Sequence, residues 1–196
     1  MFVQVITGRT TDPEGLWGQL LRWRAELRPG AAGFEGSTAG VAADGRVVIV
    51  ARFADAASAE ANSSRPEQGD WWNETARYFE GAPTFRESTD AVSLLGGGSD
   101  RAGFVQVMEG TVKDRARAEA LETSEMMDQL RAARPDLLGI HRVWFADGGY
   151  VEVAYFTSEE EARRGEASPE FGAPQQEYLD AFGPQSFVDL PEPLLA

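Results

Sequence analysis

The sequence contains no cysteine and only one histidine, His141, among its 196 residues. The absence of cysteine excludes disulfides, thiolate zinc sites, iron–sulfur clusters and a cysteine nucleophile. A single histidine also excludes a metal site built from several imidazoles of one chain. The sequence therefore predicts no metal centre, and any imidazole-based proton transfer in this chain has to use His141.

Basic side chains are scarce, because 18 Lys and Arg stand against 32 Asp and Glu, which gives a formal net charge of −14. Nucleic acids and anionic membrane surfaces attract basic proteins, so neither is an expected partner. No apolar run approaches about 20 residues, the length of a membrane span. The N-terminus lacks a basic stretch followed by an apolar one, so we expect no signal peptide and a cytoplasmic location.

An internal repeat is the strongest pattern in the sequence. Residues 2–5 and 104–107 both read FVQV, and Gly8 matches Gly110 at the same offset of 102. Further matches follow at offsets that drift by a few residues, as short loop insertions would produce. The chain is therefore expected to contain two copies of one module rather than a single large domain.

The repeat predicts modules at 1–95 and 104–196, joined by a Gly-rich linker at 96–103. The first copy predicts strands at 2–8, 34–42, 47–53 and 84–94, a helix from Asp12 to Leu27, and a helical region at 55–80 broken near Arg65-Pro66. The second copy predicts strands at 104–111, 139–145, 150–156 and 185–190, a helix from Asp114 to 133, and helical segments at 158–182.

The order β-α-β-β-α-β is that of the ferredoxin-like split unit. In this topology both helices cover one face of an antiparallel sheet, and the opposite apolar face needs a partner. Two copies in one chain can supply that partner to each other. The predicted fold class is therefore α+β, with tandem ferredoxin-like modules that pair their sheets into a pseudo-dimeric α+β barrel.

A short motif in the second copy resembles a known family. Residues 156–162 read FTSEEEA, in which a strand ends in an aromatic residue and an acidic helix begins, and residues 168–171 read SPEF, a break before another helix. The first copy has a weaker equivalent from Phe53-Ala54-Asp55 to residues 65–68. Across both copies the pattern resembles the antibiotic-biosynthesis monooxygenase (ABM) domains of the dimeric α+β barrel superfamily.

The resemblance implies a function. Members of that family known as enzymes oxidise polycyclic phenols to quinones with O₂ and no cofactor, and related members degrade haem. By resemblance, the chain is expected to be a cofactor-independent monooxygenase that acts on a planar aromatic or polyketide-like phenol. Two alternatives remain open: a non-catalytic, small-molecule-binding or stress-associated barrel, and a haem-binding relative with His141 as the axial ligand.

The expected partner is a small aromatic molecule. A chain that already contains its pseudo-dimer is expected to be a monomer, or to associate further as a homodimer through its outer edges.

His141 lies in the middle of a predicted strand, in the segment GIHRVWF, and is the candidate base for deprotonating a phenol. Its counterpart in the first copy is predicted to be Glu35. Glu109 and Glu152 lie within predicted strands of the second copy, where they could join His141 in an acid–base group or serve as edge-strand charges. A hydrogen-bonded histidine on the surface of a strand is the alternative reading of His141.

Aromatic side chains supply the candidate ligand-binding residues. Trp71 and Trp72 lie at the start of the last helix of the first copy and point about 100° apart, so one of them could line a pocket for a flat ligand. Asn73, Tyr78 and Trp144 are further candidates because they lie close to these segments. Simple filling of a core or an interface is the alternative for the tryptophans.

Gln4 and Gln106 occupy the same place in the first strand of each copy. A polar side chain on an apolar face needs a hydrogen-bond partner. The pair is therefore predicted to serve either as pocket donors or as satisfied structural positions in the sheets.

Overall fold

The computed structural model describes residues 1–168 and 178–196. The chain divides into two compact units. The first unit consists of Met1–Ala91 together with Glu192–Ala196, and the second of Val92–Pro191. Across the described residues, none of the helices combines the length and the apolar character that crossing a membrane requires.

Each unit contains one five-stranded sheet with helices. The strands are β1 (Phe2–Arg9), β2 (Phe34–Val41), β3 (Arg46–Phe53), β4 (Thr84–Ser88), β5 (Ala91–Leu94), β6 (Phe104–Val112), β7 (Leu137–Trp144), β8 (Gly149–Phe156), β9 (Phe182–Leu190) and β10 (Leu194–Leu195). The helices are α1 (Pro13–Arg22), α2 (Ala56–Ser63), α3 (Pro66–Thr75), α4 (Arg115–Leu121), α5 (Ser124–Ala133) and α6 (Glu159–Glu166). Helix α1 continues through a π turn at Trp23–Leu27 and a 3₁₀ turn at Arg28–Gly30.

Both sheets have the strand order of a ferredoxin-like module. The first sheet runs β10-β2-β3-β1-β4 and the second β5-β7-β8-β6-β9, so the four module strands take equivalent places in each. The fifth strand, β10 or β5, adds to the outer edge of β2 or β7. The predicted α+β class and the tandem ferredoxin-like modules are confirmed.

Two predicted elements are divided in the structure. The strand predicted at 84–94 is two strands, β4 and β5, which belong to different sheets. The helix predicted from Asp114 to 133 is interrupted, because Thr123 accepts a hydrogen bond from the backbone N–H of Met126 and thereby begins α5 as a new helix. The helical segment predicted at 158–182 begins as α6, and its residues 169–177, which include part of the SPEF motif, lie outside the described residues.

The two units differ in how their cores are filled. In the first unit, side chains from α1, α3 and the sheet form one large apolar cluster, which includes Leu16, Leu20, Leu27, Ile49, Trp71 and Phe79. A smaller cluster of that unit contains Phe2, Phe53 and Ala59. In the second unit the corresponding apolar residues form two smaller clusters. One contains Phe104, Ile140, Phe156 and Ala162, and the other Ala118, Trp144, Tyr150 and Phe182. The second unit therefore lacks the continuous packing between helices and sheet that the first unit has.

Equivalent aspartates cap the first helix of each module. The side chain of Asp12 accepts from the N–H of Gly15, and that of Asp114 accepts from the N–H of Arg117, each at 2.9 Å. We expect Asp12→Ala and Asp114→Ala each to lower the free energy of unfolding by about 1 kcal/mol, because a donor at the helix N-terminus loses its partner. Urea unfolding measures this, with Asp128→Ala on the exposed side of α5 as the control. Equal stability of all three variants would contradict the capping role.

Candidate functional site

The second unit contains a cavity of about 760 Å³ between the sheet and helices α5 and α6. This volume is typical of pockets that bind small organic ligands. Helix α5 has no fully buried residue, because its apolar side faces this space instead of packing on the sheet. Three of the four methionines of the chain line the cavity. Its other apolar residues include Leu130, Ile140, Phe156 and Phe187.

A buried guanidinium forms the polar floor of the cavity. Arg142 on β7 is only 1% exposed. Its Nε donates to Oε2 of Glu152 at 2.7 Å, its Nη1 donates to Glu122, and its Nη2 donates to the hydroxyl of Tyr178. Tyr178 in turn donates to Oε1 of Glu122 at 2.9 Å. Arg142 and Glu152 are direct cross-strand neighbours on β7 and β8, so the sheet itself sets their pairing.

The protonation states in this network follow from burial and charge. Burial by itself lowers the pKa of Arg142, but the charge of Glu152, followed by Tyr178 and Glu122, outweighs it, so the pKa lies above its ordinary value. Burial, reinforced by the charge of Glu152, raises the pKa of the Tyr178 phenol well above its usual range. At neutral pH Arg142 is therefore a cation and Tyr178 a neutral hydrogen-bond donor.

Aromatic rings close the apolar side of the Arg142 network. The guanidinium carbon lies 5.1 Å from the ring centroid of Trp144 and 5.6 Å from that of Phe182. These distances allow cation–π attraction in a site from which water is largely removed. Trp144, predicted as a ligand-binding residue, is buried and does not line the cavity, but it supports the cation that does.

A second polar group lies along the cavity wall. Gln106, 8% exposed, donates from Nε2 to Oδ1 of Asp189 at 3.0 Å and to Oε1 of Glu166 at 3.4 Å. Gln4 in the first unit makes the equivalent cross-strand bond, to Oε1 of Glu87 at 2.7 Å. The two glutamines therefore share a structural role, which was one of the two predicted readings.

Two acceptor atoms in the cavity receive no hydrogen bond from any of the described residues, 1–168 and 178–196. The contacts of Arg142 to Glu152 both fall on Oε2, so Oε1 of Glu152 receives no hydrogen bond. The two carboxylates bonded to Gln106 fix its Nε2 towards them, so its Oε1 receives none either. Both residues are buried and line the cavity. These two open polar atoms of the site, Oε1 of Glu152 and Oε1 of Gln106, are thus acceptors.

His141 lies on the opposite side of β7 from Arg142 and does not line the cavity. Its Nε2 accepts from the N–H of Gly98 at 2.7 Å, and its Nδ1 lies 3.0 Å from Oγ of Ser93. Because Nε2 accepts, Nδ1 carries the proton and donates to Ser93. The two ring nitrogens therefore bind β5 and the segment that follows it, and neither has a lone pair left for a haem iron.

The structure does not assemble His141, Glu109 and Glu152 into one acid–base group. Glu152 faces the cavity beside Arg142, whereas His141 faces away, and Glu109 is not among the cavity residues. The predicted counterpart of His141 is also wrong. The sheet register pairs His141 with Val153 and Thr38 with Val50, so Thr38 and not Glu35 takes the place of His141 in the first unit.

The same register shows what the first unit has in place of the buried ion pair. Ala39 and Ile49 face each other on β2 and β3 exactly where Arg142 and Glu152 face each other on β7 and β8. The first unit retains only a small cavity of about 70 Å³ at this place. Arg142 was not identified from the sequence, although aligning Phe53 with Phe156 sets Arg142 opposite Ala39 and would have revealed the substitution.

The remaining predicted ligand-binding residues belong to the first unit. Trp71 lines its small cavity and donates from Nε1 to the carbonyl of Gln19 at 2.9 Å. Trp72 and Tyr78 pack against the apolar cluster of that unit, and Asn73 is exposed. These residues therefore lie in a different unit from His141 and Trp144. In the described part of the chain, no group of three His, Asp or Glu side chains is arranged to hold a metal ion.

Comparison with known proteins finds similar proteins by structure alone, because no family model and no curated protein sequence matches the chain. A candidate monooxygenase from Lactobacillus acidophilus superposes with a TM-score of 0.73 at 10% identity, covering 100% of this chain and 98% of its own. A candidate monooxygenase from Fusobacterium nucleatum gives 0.71 at 10% identity, covering 96% and 90%. An anthrone oxidase-like protein gives 0.62 at 13% identity, covering 100% and 92%. At these identities the likeness shows a shared two-module fold.

Removing the buried cation tests the network. We expect Arg142→Met to lower the free energy of unfolding by about 3–5 kcal/mol, because Glu152 and Glu122 are left buried without a counter-charge. Arg131→Met is the matched control, since Arg131 pairs with Asp128 on the exposed side of α5. Urea unfolding of both variants measures the difference. Equal losses would show that the network does not stabilise the unit.

Alkaline pH tests the buried phenols. Burial, followed by the charge of Glu152, raises the pKa of Tyr150 to about 12, against about 10 in an unfolded chain. The unfolded state therefore releases this proton first, and stability falls as pH rises from 10 towards 12. We expect urea unfolding to show a loss across that window that is smaller in Tyr150→Phe than in the wild type by on the order of 2 kcal/mol. A pH-independent stability in the wild type would contradict this assignment.

Proposed function

We propose that the second unit binds a planar phenol in its cavity and oxidises it to a quinone with O₂ and without a cofactor. The observation that carries this proposal is the open Oε1 atom of Glu152, beside the buried guanidinium of Arg142 and at the floor of an apolar cavity of about 760 Å³. The names of the structural neighbours point to the same class of reaction.

The walls of the cavity suit a flat aromatic ligand. Met108 on the sheet faces Met126 and Met127 on α5, and the rings of Phe156 and Phe187 complete the apolar lining. Thioethers are polarisable and adapt their shape, and they make favourable contacts with aromatic rings. In the proposed complex the aromatic plane lies between these residues, and one hydroxyl reaches the polar floor.

The first chemical step is proton transfer from the phenol. Oε1 of Glu152 is the acceptor, because Oε2 is held by Arg142. The guanidinium of Arg142, which belongs to a residue only 1% exposed, offsets the negative charge that develops on the substrate oxygen. The geometry favours Glu152 over His141 for this role, since both ring nitrogens of His141 are engaged on the other side of the strand.

The second step is the reaction with oxygen. The electron-rich phenolate transfers one electron to O₂, and the resulting pair of radicals combines to form a C–O bond at a ring carbon. The distal peroxide oxygen takes the proton held by Glu152. Loss of water, which removes the hydrogen of that ring carbon, then leaves a carbonyl. The sum is hydroxyarene plus O₂ giving quinone plus water, and it needs no external reductant.

A non-catalytic binding protein is the second candidate function, favoured by one feature of the same site. Arg142 is already neutralised by Glu152 and Glu122 and bonded to Tyr178 before any ligand enters. A cation that is so fully paired has less charge to offer to a phenolate. In that case the cavity binds the phenol and releases it unchanged.

Oxygen uptake with a panel of polycyclic phenols tests the proposal. We expect uptake of one O₂ per quinone formed, with one atom of ¹⁸O₂ in the product. Glu152→Gln keeps the shape of the side chain and removes its basicity, so we expect turnover to fall by about 10²–10⁴-fold, the range for the loss of a general base. His141→Gln is the control and keeps its turnover.

Binding of the same phenols, measured by calorimetry, separates the outcomes. Binding without oxygen uptake in the wild type would establish the non-catalytic candidate. Loss of turnover in His141→Gln with intact thermal stability, and not in Glu152→Gln, would return the base role to His141. Absence of both binding and uptake would refute the proposed function.

A further inference from the structure

The charged groups around the cavity are unequal in number. Within the part of the chain that the structure describes, three arginines line the cavity: Arg134, Arg142 and Arg163. Each of them is already bonded to carboxylates. Those carboxylates number six: Glu122, Asp136, Glu152, Glu159, Glu166 and Asp189. Only Glu152, Glu166 and Asp189 of these line the cavity, so the lining itself is balanced, and the negative excess comes from the other three carboxylates, which contact the same arginines. Within the described residues, each arginine of the lining has a counter-charge.

The geometry of the arginine–carboxylate pairs makes it difficult for a ligand carboxylate to replace one of the partners. Arg134 forms a bidentate pair with Asp136, at 2.7 and 2.9 Å, in which both side chains are largely buried. Arg142 is held from two sides by Glu152 and Glu122. A carboxylate on a ligand would have to displace one of these largely buried partners and leave it without a counter-charge, which is costly.

The polar atoms that remain open point to the same chemistry. Among residues 1–168 and 178–196, none donates a hydrogen bond to Oε1 of Glu152 or to Oε1 of Gln106. A buried acceptor gains from a ligand hydroxyl or amide N–H, whereas an anionic oxygen placed against it is repelled. The formal net charge of −14 adds a long-range repulsion of anions from the whole chain.

We infer that the cavity selects neutral phenols that donate hydrogen bonds and rejects their carboxylated analogues. This inference rests on the proposed function, because it assumes that a planar phenol is the ligand. It adds a specificity rule to that proposal: Glu152 and Gln106 recognise donors on the substrate, and the carboxylates Glu166 and Asp189 at the wall oppose a negative charge.

A matched pair of ligands tests the inference. The probes are a hydroxyanthraquinone carboxamide and the corresponding carboxylate, which differ in charge and hydrogen bonding at one position of the same planar ring system. We expect calorimetry at pH 7.5 and low salt to give at least about tenfold tighter binding of the carboxamide. We expect this difference in affinity between the two probes to become smaller in 1 M salt, because screening weakens the repulsion between the ligand carboxylate and the negative charges of the protein.

Substitutions of the carboxylates in the cavity wall test whether these residues cause the preference for the carboxamide. Asp189→Asn and Glu166→Gln keep the size of each side chain and remove a negative charge. We therefore expect each variant to lower the ratio of carboxylate Kd to carboxamide Kd at least threefold. Glu125→Gln on the exposed side of α5 is the matched control and keeps the wild-type ratio. Thermal unfolding establishes that each variant is folded before the binding ratios are compared.

The possible results are distinct. Equal or tighter binding of the carboxylate overturns this inference and leaves the proposed function standing. An unchanged ratio in folded Asp189→Asn and Glu166→Gln removes the wall carboxylates from the account. If neither probe binds, and no other polycyclic phenol of the panel binds, the proposed function falls and this inference with it.

Discussion

Burial of the Arg142 guanidinium is the constraint on which the second module depends. A buried cation has to be paired, and here Glu152 reaches it from the neighbouring strand, while Glu122 and Tyr178 reach it from beyond the sheet. These polar groups occupy the face of the sheet on which a helix would otherwise pack. The methionine side of α5 therefore faces open space, and a cavity of about 760 Å³ remains.

The first module shows the alternative solution on the same framework. Ala39 and Ile49 replace the ion pair, and Leu16, Leu20 and Trp71 from the helices fill the space above them. The cross-strand glutamine bond is common to both modules, because it stabilises the sheet in either case. The two copies of the module thus differ in their interiors. The first has a packed apolar core, whereas the second has buried charged groups and an unfilled cavity.

The fold could be predicted from the sequence because it depends on local patterns that occur twice, such as the FVQV strands and the aspartate caps. The division of residues 84–94 between two sheets was missed, although the polar cluster Ser88-Thr89-Asp90, in which the N–H of Asp90 donates to Oγ of Ser88, is a local turn signal. The site was located only in part. His141 was predicted as the base because it is the single imidazole. Side chains alternate between the two faces of β7, however, so it is the neighbouring Arg142 that lines the cavity. A buried arginine leaves no periodic signal, and its partner Glu122 lies twenty positions away in sequence.

The central claim is that the cavity of the second module is the ligand site. The methionines give a direct probe, because Met108, Met126 and Met127 line the cavity while Met1 lies in the other unit. The measurement is an NMR titration of protein labelled with ¹³C at the methionine methyl groups, using a planar polycyclic phenol. The account predicts that the three cavity signals shift together and saturate while the Met1 signal stays in place. A saturable shift of Met1 alone, or binding detected by calorimetry with all three cavity signals unmoved, would contradict it.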